Sequence, residues 1–228
     1  MAYALVANTI STGGADGSTT PAIDTTGATI LICVVSNYEV SAAPTLSDSK
    51  TNTWNGLTVR SNGAVANDEV RIFYATNPTV GTLHTFTVTG TGSYSLVAVA
   101  AFSGAATTTP FDVENGAVAG ANTSLATGSI TPSENDELII AGISFENPDT
   151  LSIDQAMTIT NQVPWSSGVT FGCALAYKIQ TTAAAINATW SWTTSDNIAV
   201  AIGSFKAAPG GGGGATWLGY YSSRGGWF

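Results

Sequence analysis

Charge is what this chain has least of. Asp, Glu, Lys and Arg make up 9% of its 228 residues, and 15 acidic residues against 6 basic ones leave a net charge of −9. A surface so poor in cations repels a polyphosphate backbone, which excludes nucleic acid as a partner. His84 is the one histidine, so a site built on several imidazoles is excluded, and no G-x-S-x-G elbow accompanies it. The 2 cysteines, Cys33 and Cys173, are too few for a disulfide scaffold and read as small buried hydrophobes, with a single disulfide between them as the alternative. Long apolar runs are also missing: ATILICVV (28–35) is strand-sized, well short of the roughly 18 residues of a spanning helix, so no membrane partner is expected. The opening MAYALVANTI has no basic residue ahead of an apolar stretch, and the expectation is synthesis in a cytoplasm without a signal peptide.

What the chain does have is β pattern. Short segments rich in Thr, Val, Ile and Ala alternate with Gly, Asn, Asp and Pro clusters, and no stretch sustains a 3.6-residue period. In EVRIFYA, Val70, Ile72 and Tyr74 share one face; in LHTFTVTG, Phe86 and Val88 face one way and Thr85 and Thr87 the other; in NATWSWTT, Trp190 and Trp192 alternate with Thr189 and Ser191. Further strands are expected around 2–10, 56–60, 111–116, 122–130 and 156–161.

The chain also superposes on itself with a shift of about one hundred residues. ATILICVVS (28–36) falls on DELIIAGIS (136–144), VRIFYA (70–75) on CALAYK (173–178), TFTVT (85–89) on TWSWT (189–193), LVAVAAFSGA (96–105) on AVAIGSFKAA (199–208), and Ile23 on Ile130. This alignment sets Cys33 opposite Ala141, Cys173 opposite Val70, and His84 opposite Ala188. The fold class expected is all-β, an internally duplicated antiparallel β-sandwich with jelly-roll or immunoglobulin-like halves over 1–104 and 105–208, followed by a Gly-rich linker and aromatic tail over 209–228. The connection SGAATTTP (103–110) is short and the central strands are apolar on both faces, which favours one closely packed body.

LSDSKTNTW (46–54), VRIFYATNPTVGTLHTFTVTG (70–90), LVAVAAFSGAATTTPFDV (96–113) and IAVAIGSFKAA (198–208) resemble a duplicated β-sandwich module of bacterial cell-surface proteins and of structural proteins of tailed bacteriophages. The resemblance implies the module and no catalytic signature. With no export signal seen, it implies a virion protein made in the host cytoplasm.

The residues themselves offer little chemistry. Asp112 with Glu114, Glu134 with Asp136 and Glu137, and Glu146 with Asp149 are the paired carboxylates a glycosidase would need, but TPSENDE and FENPD are also plain turn sequences. DSKTN (48–52) has one carboxylate, Asp48, and no Gly, which suits calcium poorly. His84 reads as strand-end filling. No catalytic residue, cofactor or metal is expected. The tail differs: after the spacer Gly210–Gly214 come Trp217, Leu218, Tyr220, Tyr221, Arg224, Trp227 and Phe228, the composition of interface anchors. The function expected is a non-enzymatic virion subunit, in capsid decoration or in a tail, neck or fibre. Its aromatic tail would join it to other virion proteins, capsid or tail subunits, or to copies of itself in a homo-oligomer. The alternative is a receptor- or glycan-binding adhesin that stacks sugars on loop aromatics such as Tyr38, Trp54 and Trp165.

Overall fold

The computed structural model describes residues 2–13, 18–38, 44–63, 68–89, 94–146, 150–167 and 169–209, with the side chains of 165–170 outside that set. The described residues contain strands and no helix. The first half supplies β1 (Ala4–Ile10), β2 (Ile30–Tyr38), β3 (Thr45–Asp48), β4 (Asn55–Gly56), β5 (Arg60–Ser61), β6 (Glu69–Thr76), β7 (Phe86–Thr89) and β8 (Tyr94–Ser103). The second supplies β9 (Phe111–Ala126), β10 (Glu137–Phe145), β11 (Ser152–Ile153), β12 (Thr158–Ser167), β13 (Val169–Gln180) and β14 (Thr189–Phe205).

Every pairing is antiparallel. One large sheet runs β1-β8-β2-β6-β4 with β5 also on β6; the other runs β11-β14-β10-β13-β12 with β9 on β14; β3 and β7 form a small third sheet. The duplication read from sequence holds in register. Ile30 pairs with Phe102 as Leu138 pairs with Phe205, and Ser36 pairs with Val70 as Ser144 pairs with Cys173.

The two large sheets lie face to face, and the core between them draws on both halves: Ile32, Val34, Ile72 and Phe102 meet Ile140, Phe171, Leu175 and Phe205. The opposite face of each large sheet is covered within its own half. Phe86 and Val88 of β7 close over Leu31, Cys33 and Val35, while Trp190 and Trp192, at the start of β14, close over Ile139, Ala141 and Ile143. Such stacking explains why β2 and β10 are apolar on both faces, since each has a core above and below it.

The contact between the sheets has approximate twofold character. Tyr74 meets Phe205 edge-on at 5.3 Å, and their counterparts Tyr177 and Phe102 meet edge-on at 5.1 Å. Ser36 and Ser144, which are counterparts, share a buried hydrogen bond of 2.6 Å. Two residues back along the same two strands, Val34 faces its own counterpart, Gly142, where an added Cβ would lie 2.7 Å from Val34 Cγ1. A duplicated chain that packs on itself this way behaves as an isologous dimer joined end to end. At its centre each residue meets its equivalent, and two bulky ones do not fit, so one copy carries Val and the other Gly.

Some sequence expectations differ from the structure. The strands expected at 111–116 and 122–130 are one strand, β9, whose kink is taken up by Ala121 at φ 53°. TWSWT and AVAIGSF likewise form the single β14, which absorbs register shifts between Ser191 and Ile198 as bulges. The 56–60 strand is instead two short pieces, β4 and β5. His84 is bridged to Ile23, and Ile130, the counterpart of Ile23, is bridged to Ile186. The counterpart of His84 is therefore Ile186 and not Ala188. TFTVT and TWSWT look alike when slid by two residues because a strand repeats every two.

Candidate functional site

Two clusters bring polar side chains together. In the first, the turn that follows β3 wraps round Asp48. Its Oδ1 accepts from the Lys50 N–H at 2.8 Å and its Oδ2 from the Asn52 N–H at 3.1 Å, while Trp54 Nε1 donates to Oδ2 at 2.8 Å. His84 Nε2 lies 2.8 Å from Asp48 Oδ1, and Thr25 Oγ1 lies 2.9 Å from His84 Nδ1. Burial pushes the Asp48 carboxyl up, but the bonds from His84, Trp54 and the Lys50 amide outweigh it and hold the group below its ordinary value.

Hydroxyl, imidazole and carboxylate in this order are the parts of a nucleophilic triad. They do not work as one here, because Thr25 and His84 are both 0% exposed and a buried hydroxyl meets no substrate. The Gly81 N–H also donates to Thr25 Oγ1 at 3.1 Å, and the His84 ring stacks on Phe86 with centroids 4.4 Å apart. The chain of bonds therefore pins the end of β3, the 79–85 segment and the segment around Thr25 before β2 over the outer core. His84 is more than strand-end filling. Sequence reasoning missed its partners because they come from segments 36 and 59 residues away, with no local motif. The DSKTN turn is held by protein donors, with the Lys50 and Asn52 amides and Asn52 Nδ2 all bonded to Asp48.

In the second cluster the structure gathers three of the candidate carboxylates. Asp112 of β9 accepts from the Ser133 N–H at 2.7 Å and from Ser133 Oγ at 2.9 Å, and Lys206 Nζ stands 3.3 Å from Asp112 and 3.9 Å from Glu134. Glu137 Oε1 accepts from the Glu134 N–H at 2.9 Å, while its Oε2 is buried without a partner among the described residues. Burial pushes Glu137 up, with the Asp112 charge acting in the same direction; Ser133 holds Asp112 down against its own burial. Two neighbouring carboxyls shifted in opposite directions are a pair of the kind hydrolytic chemistry uses.

Access is again what fails. The adjoining cleft, about 340 Å³, is lined by Ala2, Glu134, Asn135, Asp136, Ala207, Ala208 and Pro209, and a second of about 280 Å³ is lined by Thr107, Thr108, Thr109, Glu134, Lys206 and neighbouring residues. Neither is lined by Asp112 or Glu137. Glu114 is elsewhere engaged, accepting from the Thr58 N–H and hydroxyl at 2.9 Å each. Glu146 lies at the far end of β10, and Asp149 lies outside the described residues.

Cys33 and Cys173 are free and sit in different core layers, so no disulfide joins the halves. Burial pushes the Cys173 thiol up to about 12 and Cys33 well above its ordinary value, which leaves both inert. Of the aromatics named as sugar platforms, Trp54 is half-buried, edge-on to Phe86 at 6.1 Å, and Tyr38 packs against Tyr94 and Phe171. The side chain of Trp165 lies outside the described residues. So do all the partner-binding candidates Trp217, Leu218, Tyr220, Tyr221, Arg224, Trp227 and Phe228, because the description ends at Pro209. No helix among the described residues is long and apolar enough to cross a membrane. Comparison with protein-family models, with curated proteins and with solved structures finds no match for the chain.

Proposed function

We propose that the protein is a non-enzymatic building block of a larger assembly, a virion subunit of the tailed-phage kind that the sequence resembles, fastened to its neighbours by the segment beyond Pro209. The observation that carries this reading is that the convergent polar groups of the body, Thr25–His84–Asp48 and Asp112–Glu137, are sealed or tied, while Pro209, the last described residue, lies on the rim of both clefts. A body of this kind supports and positions; the segment after it has the Trp, Tyr and Arg content of a binding anchor. The neighbours are other virion proteins or further copies of this chain, and no cofactor is needed. The glycan-binding alternative is weakened by the engagement of Trp54 and Tyr38 in packing.

A chain that stops at Ala208 is expected to unfold at the same denaturant concentration as the full chain yet to be missing from assembled particles. Particles that take up the shortened chain normally would overturn the proposal. Specific signal on a glycan array, retained after the truncation, would favour the adhesin reading instead.

A further inference from the structure

The end of the intersheet core away from Pro209 holds a buried acid that neither cluster above includes. On β6, Val70 and Ile72 face the core between the large sheets, and the alternation carried back from Val70 puts Asp68 on the same face. Asp68 is 0% exposed, and neither of its carboxyl oxygens has a hydrogen-bond partner among the described residues. Ser144 of β10 is close enough to favour its ionised form slightly, but that hydroxyl is shared with Ser36 at 2.6 Å.

The charges around Asp68 are of its own sign. From the second half come Glu146, just past β10, and Asp196 of β14. Asp196 Oδ2 accepts from the Glu146 N–H at 2.7 Å, and Glu146 Oε2 accepts from Asn197 Nδ2 at 2.9 Å, so these groups are held in place. On its own strand, Glu69 takes the Asn37 amide at 3.3 Å, and Arg71 donates to the Leu57 carbonyl at 2.8 Å and covers the Phe73 ring at 4.8 Å. Arg60 of β5 has a buried Nε without a partner, and among the described residues neither arginine forms an ion pair with Asp68. Burial, then the charges of Glu146 and Asp196, push Asp68 up to about 9. A divalent cation is the other way to neutralise such a group, but among the described residues no three His, Cys, Asp or Glu side chains are placed to hold one.

We propose that Asp68 is a proton-operated latch between the two halves: as a neutral carboxylic acid it lets this end of the intersheet core close, and its ionisation beside Glu146 and Asp196 opens that end. The proposal does not depend on the tail or on the assembly. The folded state holds this proton more tightly than the unfolded chain, so the stabilisation is complete below the unfolded value of about 3.9 and is lost as pH rises toward about 9. Over that window the unfolding equilibrium constant grows about tenfold for each pH unit.

The test is urea unfolding of the full chain and of Asp68→Asn across that window, in calcium-free buffer and again in millimolar calcium. The wild type should weaken steadily with pH, with backbone amides of 69–72 and 143–146 losing hydrogen-exchange protection first, while Asp68→Asn lacks that slope and is the more stable chain at neutral pH. Glu146→Gln, which keeps Asp68 and removes one repelling charge, should end the slope at a lower pH, and it serves if Asp68→Asn does not fold. Parallel pH profiles for wild type and Asp68→Asn, or an unmoved profile for Glu146→Gln, overturn the latch. A wild-type profile flattened by calcium overturns it too, in favour of a cation site.

Discussion

Replacing Asp48 with alanine lowers the stability of the protein by about 2 to 4 kcal/mol at neutral pH, the range for leaving buried hydrogen-bond donors without their acceptor. Five groups lose their acceptor at once: the Lys50 and Asn52 backbone amides, Asn52 Nδ2, Trp54 Nε1 and His84 Nε2, the last on a residue with no exposed surface. Each buried donor left unmatched costs about 1 to 3 kcal/mol, and the exposed side of the turn recovers part of that from water. The effect depends on pH. Because the folded-state value of Asp48 is depressed, its stabilisation is present above the unfolded value of about 3.9 and disappears as pH falls through the folded one. Denaturant unfolding should therefore show a gap between wild type and Asp48→Ala that is widest near neutrality and closes in acid. A gap unchanged down to the acid limit would mean that the carboxylate charge is irrelevant and only packing was lost. Asp48→Asn, which keeps the shape and one acceptor, should fall between the two.

The second large effect lies where the halves meet. Gly142→Val drives a branched side chain into Val34, whose Cγ atoms already stand 2.7 and 2.9 Å from where a Cβ would begin, and overpacking of this kind costs about 1 to 3 kcal/mol. Val34→Gly alone empties the same spot and removes a strand-favouring residue, at a cost of about 2 to 4 kcal/mol. Made together, the two changes exchange the roles of equivalent positions, so the double variant should be more stable than the sum of the single losses requires, by a coupling of about 1 to 2 kcal/mol. Simple additivity would deny that the two positions share one space.

The fold was largely legible because a sandwich core leaves a period-two record on every strand. Val70 and Cys173, Phe102 and Phe205, and Ile23 and Ile130 occupy equivalent places, as the self-alignment has them. The same periodicity misled at His84, where two strands of alternating large and small residues align equally well two residues apart. The continuity of β9 and β14 was hidden because bulges and a left-handed residue let a strand run on through what reads as a break. Both polar clusters escaped for a different reason. Asp48, His84 and Thr25, like Asp112, Ser133 and Lys206, are brought together by the closing of the layers, and nothing in the spacing of those residues announces it.

The duplicated halves are not identical in their polar contacts. Only the first half holds the Asp48–His84 pair, and the second half has Ile186 at the place of His84. The fold of the module therefore closes with an aliphatic residue at this place in one copy and an imidazole in the other. The tail likewise has no counterpart after residue 104.

Hydroxyl-radical footprinting of Trp217, Tyr220, Tyr221 and Trp227, in the isolated chain and in the assembled particle, addresses the building-block reading most directly. The account expects these rings to be oxidised readily in the isolated protein and shielded in the particle. Equal shielding in both would show that the tail finds its cover on its own body, and the proposed fastening would be wrong.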